Sequence, residues 1–376
     1  MPQKVLFLTT SHSYDDDRIF YHQALELKNA GYAVKISSLS SEFVGIIDGI
    51  EVESYSILDK KVNEKIKKML DIGTNYGADI IICSEPLAVI AANKIRKRKK
   101  CSIIYDITEW YPSMSMLRNT AFFLKPIKFL QFLSVHILAG FLTTHFIFGE
   151  KEKMQPLTTL FPLKKKLILP YYPSSKYVEE NINKIGNKIT LCFTGAISEE
   201  KGINRFFNVL EELQRRNIGQ YSALIIGSPV NKKEEENLQQ LLLVFKNVDI
   251  QIQKPTSFQD FSKALAKADI CFDLRSFNFE NHHSLPIKIF YYMGSGKPMV
   301  YSKLKAIENH LNVSNFGFLV NPDDTDAIVN LIANYRLNTS LYDEHAQNAR
   351  NAYLENYTWE NINFSFVNFV SNSLDI

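Results

Sequence analysis

The chain is sparing with the residues that carry redox, metal or polymer-binding chemistry. Its 376 residues include only four cysteines and two tryptophans. Cys83, Cys101, Cys192 and Cys271 form no C-x-x-C pair, and each lies in or beside an apolar, strand-like run ("DIIICS", "CSIIYD", "TLCFTG", "DICFDL"). That pattern argues against a zinc site or a disulfide framework and predicts buried, reduced thiols. Neither sign of charge dominates: 43 lysines and arginines face 40 acidic residues, for a net +3. Bulk charge therefore does not imply a nucleic-acid partner. The basic runs at 96–100 and 164–166 fit a solvated helix end or loop, with contact to an anionic membrane as the second reading. The opening "MPQKVLFLTT" lacks the long apolar core of a signal peptide, so the cytoplasm is the expected compartment. One stretch, 129–149, has no Asp, Glu, Lys or Arg and is long enough for a membrane span. Polar residues from Gln131 to His145 interrupt it, and Gly140 falls mid-way. The expectation is a buried helix ending near Gly140, followed by a core strand at about 144–148.

What is present is an alternation of short apolar strands and helices. "KVLFLTT", "YAVKISSL", "DIIICS" and "SIIYD" read as strands in the first half. A helix over about 19–30 places Phe20, Ala24 and Leu27 on one face and ends at Gly31. Another is expected over about 62–70, and Pro86 suits the first turn of a third. The pattern breaks in the proline- and serine-containing stretch 169–188 and then restarts with "ITLCFTG", "SALIIG", "DIQIQ", "DICFDL" and "KPMVYS". The fold class is α/β, with two doubly wound halves and parallel sheets. Expected boundaries are 1–170, a linker at 171–187, a second domain at 188–357 and a closing helix at 358–376. Ligands of such sheets bind at the carboxyl ends of the strands.

Three loops carry candidate chemistry. In "FTGAISEEKGINRFF", Gly195 permits a tight turn after a strand, and Lys201 and Gly202 open a helix. This is either a plain structural turn with an exposed lysine or a cradle for a diphosphate. In "NHHSLPIKIFYYMGSGKPMV", Pro286 marks a helix start. Ser284, Lys288 and Tyr291 then share a face by i, i+4, i+7 spacing. A lysine in a first turn opposes the helix dipole unless an anion lies near; otherwise it snorkels to the surface. Neither Lys201 nor Lys288 is expected in a core. In the first half, His12, Asp17 and Arg18 follow the first strand, with Asp17 suited to capping the helix. Asp106, Thr108 and Glu109 follow "SIIYD".

Taken in order, "DDDRIFYHQALELKNAGYAV", "IIYDITEWYP", "LCFTGAISEEKGI", "LPIKIFYYMGSGKPMV", "FGFLVNPDDTDAI" and "YTWENI" resemble the GT-B glycosyltransferases, and within them the large retaining family numbered four. The resemblance implies two facing Rossmann-like domains, with the last helix crossing back to the first. It also implies transfer of a sugar, with retention, from a nucleotide-diphosphate sugar to an acceptor hydroxyl, without a metal or other cofactor. It implies that the second domain holds the donor through Gly195, Lys201, Gly227, Glu280, His283, Ser284, Leu285, Lys288 and Tyr291. His12, Asp17, Arg18 and Thr108 then face the acceptor. The candidate catalytic residues are Lys201, Lys288, Asp106 and Glu109. The expected partner is a glycan or lipid-linked acceptor in surface polysaccharide or glycoconjugate synthesis, with peripheral contact at the inner face of a membrane. The chain departs from the family at several places. An arginine usual before the diphosphate lysine is Ala196. The two glutamates usual across the Leu-Pro turn are His283 and Tyr291. A histidine often found in the first domain is Thr108. Those departures keep a second reading in play, a non-catalytic nucleotide- or glycan-binding protein on the same scaffold. A nucleotide-sugar epimerase lacks the motif order.

Overall fold

The short apolar runs become strands, and the central ones are covered on both faces. The computed structural model describes residues 2–118, 120–245 and 248–374. It divides into two compact units, Met1–Tyr171 with Ile362–Ile376, and Tyr172–Asn361. The first unit contains β1 (Lys4–Thr9), β2 (Ala33–Ser38), β3 (Phe43–Ile47), β4 (Ile50–Ser54) and β5 (Ile80–Cys83), then β6 (Ser102–Ile107), β7 (His145–Phe148) and β8 (Lys166–Ile168). Their order across the sheet is β3-β4-β2-β1-β5-β6-β7-β8. The central β1 pairs in parallel with β2 and β5. Its Val5 to Leu8 are fully or almost fully buried, as a parallel strand between helices requires. The first helix is π-helical over Asp17–Ala24 and α-helical over Leu25–Asn29. It buries Phe20, Ala24 and Leu27, as their spacing predicts.

The sheet is not wholly parallel, because β3 and β4 form an antiparallel hairpin. Asp48 and Gly49 at its turn have φ of 49° and 78°, the doubly positive pair that a tight two-residue hairpin demands. An Asp-Gly step between apolar alternations was the available signal. The helix expected to end near 70 continues over Val62–Tyr76 and stops at Gly77.

The expectation of a buried helix before β7 is overturned. The helix Lys125–Leu142 buries only His136, Ala139 and Gly140. It lies beside the helix Pro86–Arg96, and that neighbour needs only one narrow stripe of it. Its C-terminus is capped from outside: Lys164 Nζ donates to the carbonyls of Gly140, Phe141 and Thr143 at 2.6, 2.8 and 2.6 Å. Lysine at the negative end of the helix dipole is favourable. The strand that follows, β7, is core as expected. From Ile362 the closing helix Trp359–Ser371 counts with the first unit. There Phe366 and Val370 are buried, and Ser102 Oγ donates to the carbonyl of Ser373.

The second unit contains β9 (Lys188–Ile197), β10 (Gln220–Pro229), β11 (Asp249–Gln253), β12 (Ile270–Asp273), β13 (Met299–Ser302) and β14 (Gly317–Val320). All pairings are parallel, in the order β11-β10-β9-β12-β13-β14. The chain winds outward from β9 to one side and then to the other, so β9 and β12 flank a switch point. Beneath it Phe206 packs edge-on to Phe272 and tilted against Phe193, at centroid distances of 5.5 and 5.9 Å. Each such ring contributes about 1.5–3 kcal/mol by leaving water. The stretch after Tyr171 packs on this unit. The Tyr172 ring meets Phe290 at 4.8 Å, and Asn183 Nδ2 donates to the Ala268 carbonyl at 3.1 Å. All four cysteines are free and buried.

Candidate functional site

The strands β9 and β10 run in register through the pair Gly195 and Gly227 to Ile197 and Pro229. Gly195 has φ of 99°, and a Cβ on Gly227 would lie 1.9 Å from the Gly195 carbonyl oxygen. Glycine at both positions lets the strand ends approach and leaves the space above them open. That space is a cavity of about 540 Å³ at the carboxyl ends of the second sheet. Its lining includes the apolar residues Ile226, Pro229, Val230, Pro255 and Phe261. It also includes the cations Lys201, Arg275 and Lys288. Among the described residues no Asp or Glu lines it.

The cations are not loose surface groups. Lys288 is the first residue of the helix Lys288–Gly294. Its Nζ lies 2.7 Å from Asp273 Oδ2 and donates to the Thr194 carbonyl at 2.7 Å. Asp273, at the end of β12, also accepts from Arg275 Nε at 2.8 Å, from Arg275 Nη2 at 2.5 Å and from Tyr301 Oη at 2.5 Å. Burial alone would raise the Asp273 carboxyl, but the Arg275 and Lys288 charges hold it well below the carboxylate range. Burial pulls the Lys288 ammonium below its ordinary value, and Asp273 limits the fall while Arg275 adds to it. Lys201 is held more weakly. Its Nζ lies 3.4 Å from Asn281 Oδ1 and 3.4 Å from the half-exposed Glu200. Among these described groups, three cations against Asp273 leave two positive charges in the lining, with Glu200 beside Lys201 offsetting them in part. Such a lining suits a polyanion.

The structure brings together Gly195, Lys201, Gly227 and Lys288 as expected positions on one cavity. Glu280, His283, Ser284 and Leu285 are not part of its lining. Glu280 belongs to the short helix Phe279–His282. His283 Nδ1 hydrogen-bonds the Phe279 carbonyl at 2.7 Å. The shared face drawn through Ser284, Lys288 and Tyr291 does not exist. The helix begins at Lys288, and the Leu-Pro step before it is not helical, so Ser284 has no helical phase with Tyr291. Tyr291 is buried, its ring edge-on to Phe261 at 5.2 Å behind the cavity wall. Lys288 is also far from a surface lysine, with its side chain 15% exposed.

Arg275 and Asp273 were missed. The signal was an arginine two residues past the end of a strand that bounds the switch point. Asn281, buried and anchored by Nδ2 to the Ser276 carbonyl at 2.9 Å, was missed as well.

At the carboxyl ends of the first sheet the picture changes. Asp106 is buried in a two-pronged pair with Arg18, with Nε–Oδ2 at 3.1 Å and Nη2–Oδ1 at 3.0 Å, and it accepts from Gln23 Nε2 at 2.6 Å. Both residues are thus committed to the interior, against their expected catalytic and acceptor roles. Asp16, not Asp17, caps the helix through the N–H groups of Arg18 and Ile19, both at 3.0 Å. Asp17 is lifted to about 7 by burial and by the neighbouring Asp16 carboxylate. His12 hydrogen-bonds Asp16 at 3.0 Å and lies 3.9 Å from Glu85. Burial would lower it, but the Asp16 bond and the Glu85, Asp16 and Glu109 charges raise it to about 9. Thr108 is half-buried and Glu109 exposed on the segment after β6. Glu85, also unforeseen, gathers the loop after β1. It accepts from Thr9 Oγ1, Thr10 N, Ser11 N and Ser11 Oγ at 3.0, 2.9, 3.0 and 2.6 Å. An acidic residue just before the helix-starting Pro86 was its trace in the sequence. Among the described residues no group of three His, Cys, Asp or Glu side chains is placed to hold a metal ion.

A switch-point cavity with paired glycines and buried cations occurs in many nucleotide-binding folds. Comparison with known families decides between them. Residues 188–336 match the family model described as glycosyl transferases group 1. The second unit carries a glycosyl transferases group 1 domain. The matched range contains every residue that lines the cavity. No curated protein matches the chain in sequence. Among solved structures, sucrose-phosphate synthase from Thermosynechococcus elongatus is similar with a TM-score of 0.76 at 12% identity, covering 98% of each chain. Anabaena HepE in complex with UDP is similar with a TM-score of 0.74 at 15% identity, covering 98% of this chain and 100% of HepE. WaaG, a glycosyltransferase involved in lipopolysaccharide biosynthesis, has a TM-score of 0.69 at 14% identity, covering 98% of this chain and 99% of its own. These likenesses are of fold. Together with the group 1 domain they establish the GT-B architecture, two α/β domains with largely parallel sheets.

Proposed function

We propose that the protein is a glycosyltransferase that takes a nucleotide-diphosphate sugar into the cavity of its group 1 domain. It passes the sugar to an acceptor hydroxyl with retention. The observation that carries this is the cavity lining, which combines Lys201, Arg275 and Lys288 with the apolar Ile226, Pro229, Val230, Pro255 and Phe261. The apolar residues suit a nucleoside, and the cations suit the diphosphate. Charge on the diphosphate grows as the bond to the sugar breaks, so fixed cations lower that barrier more than they tighten the ground state. No metal enters this reading; the cations take the charge. The UDP in the HepE complex supports trying uridine donors first. Retention and a glycan or lipid-linked acceptor in surface polysaccharide synthesis are supported by the order of the motifs. The first unit's loop ends, with His12 and Thr108, are the assigned acceptor side.

The test starts with melting temperatures of the full chain with UDP, GDP and ADP. A ligand at a hundred times its Kd adds about 2.7 kcal/mol. Single-turnover transfer or hydrolysis of the matching nucleotide sugar follows. Stabilisation by none of the three would refute the cavity assignment. Binding without any turnover would instead support the non-catalytic reading, which the absence of a carboxylate from the described cavity lining favours.

A further inference from the structure

Between Trp110 and Gly149 the chain has no aspartate or glutamate, while Arg118, Lys125 and Lys128 supply positive charge. This segment folds into the turn Phe122–Leu124 and the helix Lys125–Leu142. A surface helix of a water-soluble domain turns charged residues outward. This one turns out Ile127, Leu130, Leu138 and Phe141, with Phe122 and Phe123 before them, exposed by 65, 60, 45, 67, 87 and 75%. The spacing of 3, 8 and 3 residues from Ile127 to Phe141 keeps these positions on one face. Single exposed apolar residues need no explanation, but a run of six along one helix face, broken only by Gln131 and Ser134, marks an interaction surface.

By length and composition the stretch Phe122–Leu142 is apolar enough to cross a membrane, yet its opposite side is fixed to the first unit. His136, Ala139 and Gly140 are buried. His136 Nδ1 lies 3.0 Å from Tyr105 Oη. A Cβ on Gly140 would stand 2.5 Å from Leu157 Cδ2, so that side admits no lipid. A helix pinned along one stripe and bare along the other can lie on a bilayer but not pass through it.

We infer that the bare stripe from Phe122 to Phe141 is a docking face for an anionic lipid bilayer, on which the protein lies without crossing. The charge pattern selects this occupant over a second copy of the chain. A two-fold pairing of the stripe would bring lysine-bearing segments together with no acidic residue in either to pair with. Anionic headgroups supply the missing counter-charges to Lys125 and Lys128 while the acyl boundary takes the phenylalanines. This does not rest on the reading of the cavity, and either stands if the other fails.

The experiment is vesicle flotation of the full chain, with phosphatidylcholine alone and with phosphatidylglycerol added. The protein should float with the anionic vesicles and lose much of that binding at about 1 M salt, where screening acts within about 3 Å. The double variant Ile127→Asp, Leu130→Asp should float at least about tenfold less, with an unchanged melting temperature because both side chains are exposed. No flotation with anionic vesicles, or equal flotation of the variant, would overturn the inference. So would retention through alkaline extraction, which indicates a span. A wild-type dimer in sedimentation velocity that the variant splits would assign the face to a second copy.

Discussion

Replacing Lys288 by methionine separates the two duties the structure gives this side chain. Its Nζ makes two bonds, to Asp273 Oδ2 and to the Thr194 carbonyl, each 2.7 Å. Removing one partner of a buried ion pair commonly costs about 3–5 kcal/mol, because the other charge is stranded. Asp273 is not stranded here, since both prongs of Arg275 and the Tyr301 hydroxyl remain. The loss is therefore closer to one charged hydrogen bond, about 1.5–3 kcal/mol. The relief of burying an ammonium, visible in the depressed Lys288 pKa, trims that further. Urea unfolding should show a folded variant less stable by about 1–2 kcal/mol. Adding Asp273→Asn would leave Arg275 without its counter-ion and should not restore stability. The effect on ligand is larger in proportion. Calorimetry with the nucleoside diphosphate chosen by the melting screen should show about tenfold to a hundredfold weaker binding. Single-turnover transfer should fall by roughly tenfold to a thousandfold. A well-folded variant with unchanged affinity would refute the placement of the diphosphate and leave Lys288 a purely structural residue.

Gly227→Ala should weaken nucleotide binding and cost about 1–3 kcal/mol in urea unfolding, because its Cβ would press on the Gly195 carbonyl; normal affinity would show that the strand ends do not form the cavity floor. Asp106→Ala should cost about 3–5 kcal/mol by stranding Arg18 in the interior, and a fully stable but inactive variant would return Asp106 to catalysis. His12 should govern a fall in stability on the alkaline side. Its folded pKa of about 9 lies above the ordinary 6.5, so its contribution is complete below pH 6.5 and is lost as pH rises through about 9. Lys164, lowered to about 8 by burial, adds a rise in stability above that pH in wild type and variant alike, so the difference between wild type and His12→Gln in urea unfolding is the readout and should show the fall. Asp17, raised to about 7, acts at lower pH.

The strands and the amphipathic first helix were readable because burial imposes a period, and Phe20, Ala24 and Leu27 obey it. The hairpin at Asp48-Gly49 was legible in its Asp-Gly step and in the alternation of its two strands. Composition misled at Lys125–Leu142. An apolar helix in sequence shows how much surface wants cover, not whether the fold supplies it. Around the cavity, the positions of Gly195, Lys201 and Lys288 followed from their place after strands and before helices. The partner of Lys288 did not. Asp273 looked like one more residue at the end of a buried strand, and only the sheet order sets β12 next to β9, where Thr194 and Lys288 meet it. Ser284 was misplaced because the helix was started at Pro286 rather than Lys288, and Tyr291 is buried with its ring edge-on to Phe261.

The presence of Arg275, with alanine at position 196, has a consequence for binding on the proposed reading. An arginine at the exposed position 196 near the end of β9 would meet a ligand as a free group. Arg275 instead stands within its own ion pair, bonded through both prongs to Asp273. An anion entering the cavity competes with Asp273 for Lys288, and pulling Lys288 away would leave a fully buried carboxylate alone. Arg275 removes that penalty, since it continues to neutralise Asp273 while Lys288 turns to the ligand. On the proposed reading Lys288 then serves as the mobile cation and Arg275 as the fixed one. Arg275→Lys keeps the charge but loses the fork that holds both carboxylate oxygens. On the proposed reading, that substitution weakens nucleotide binding through Lys288 even where Arg275 itself makes no contact with the phosphates.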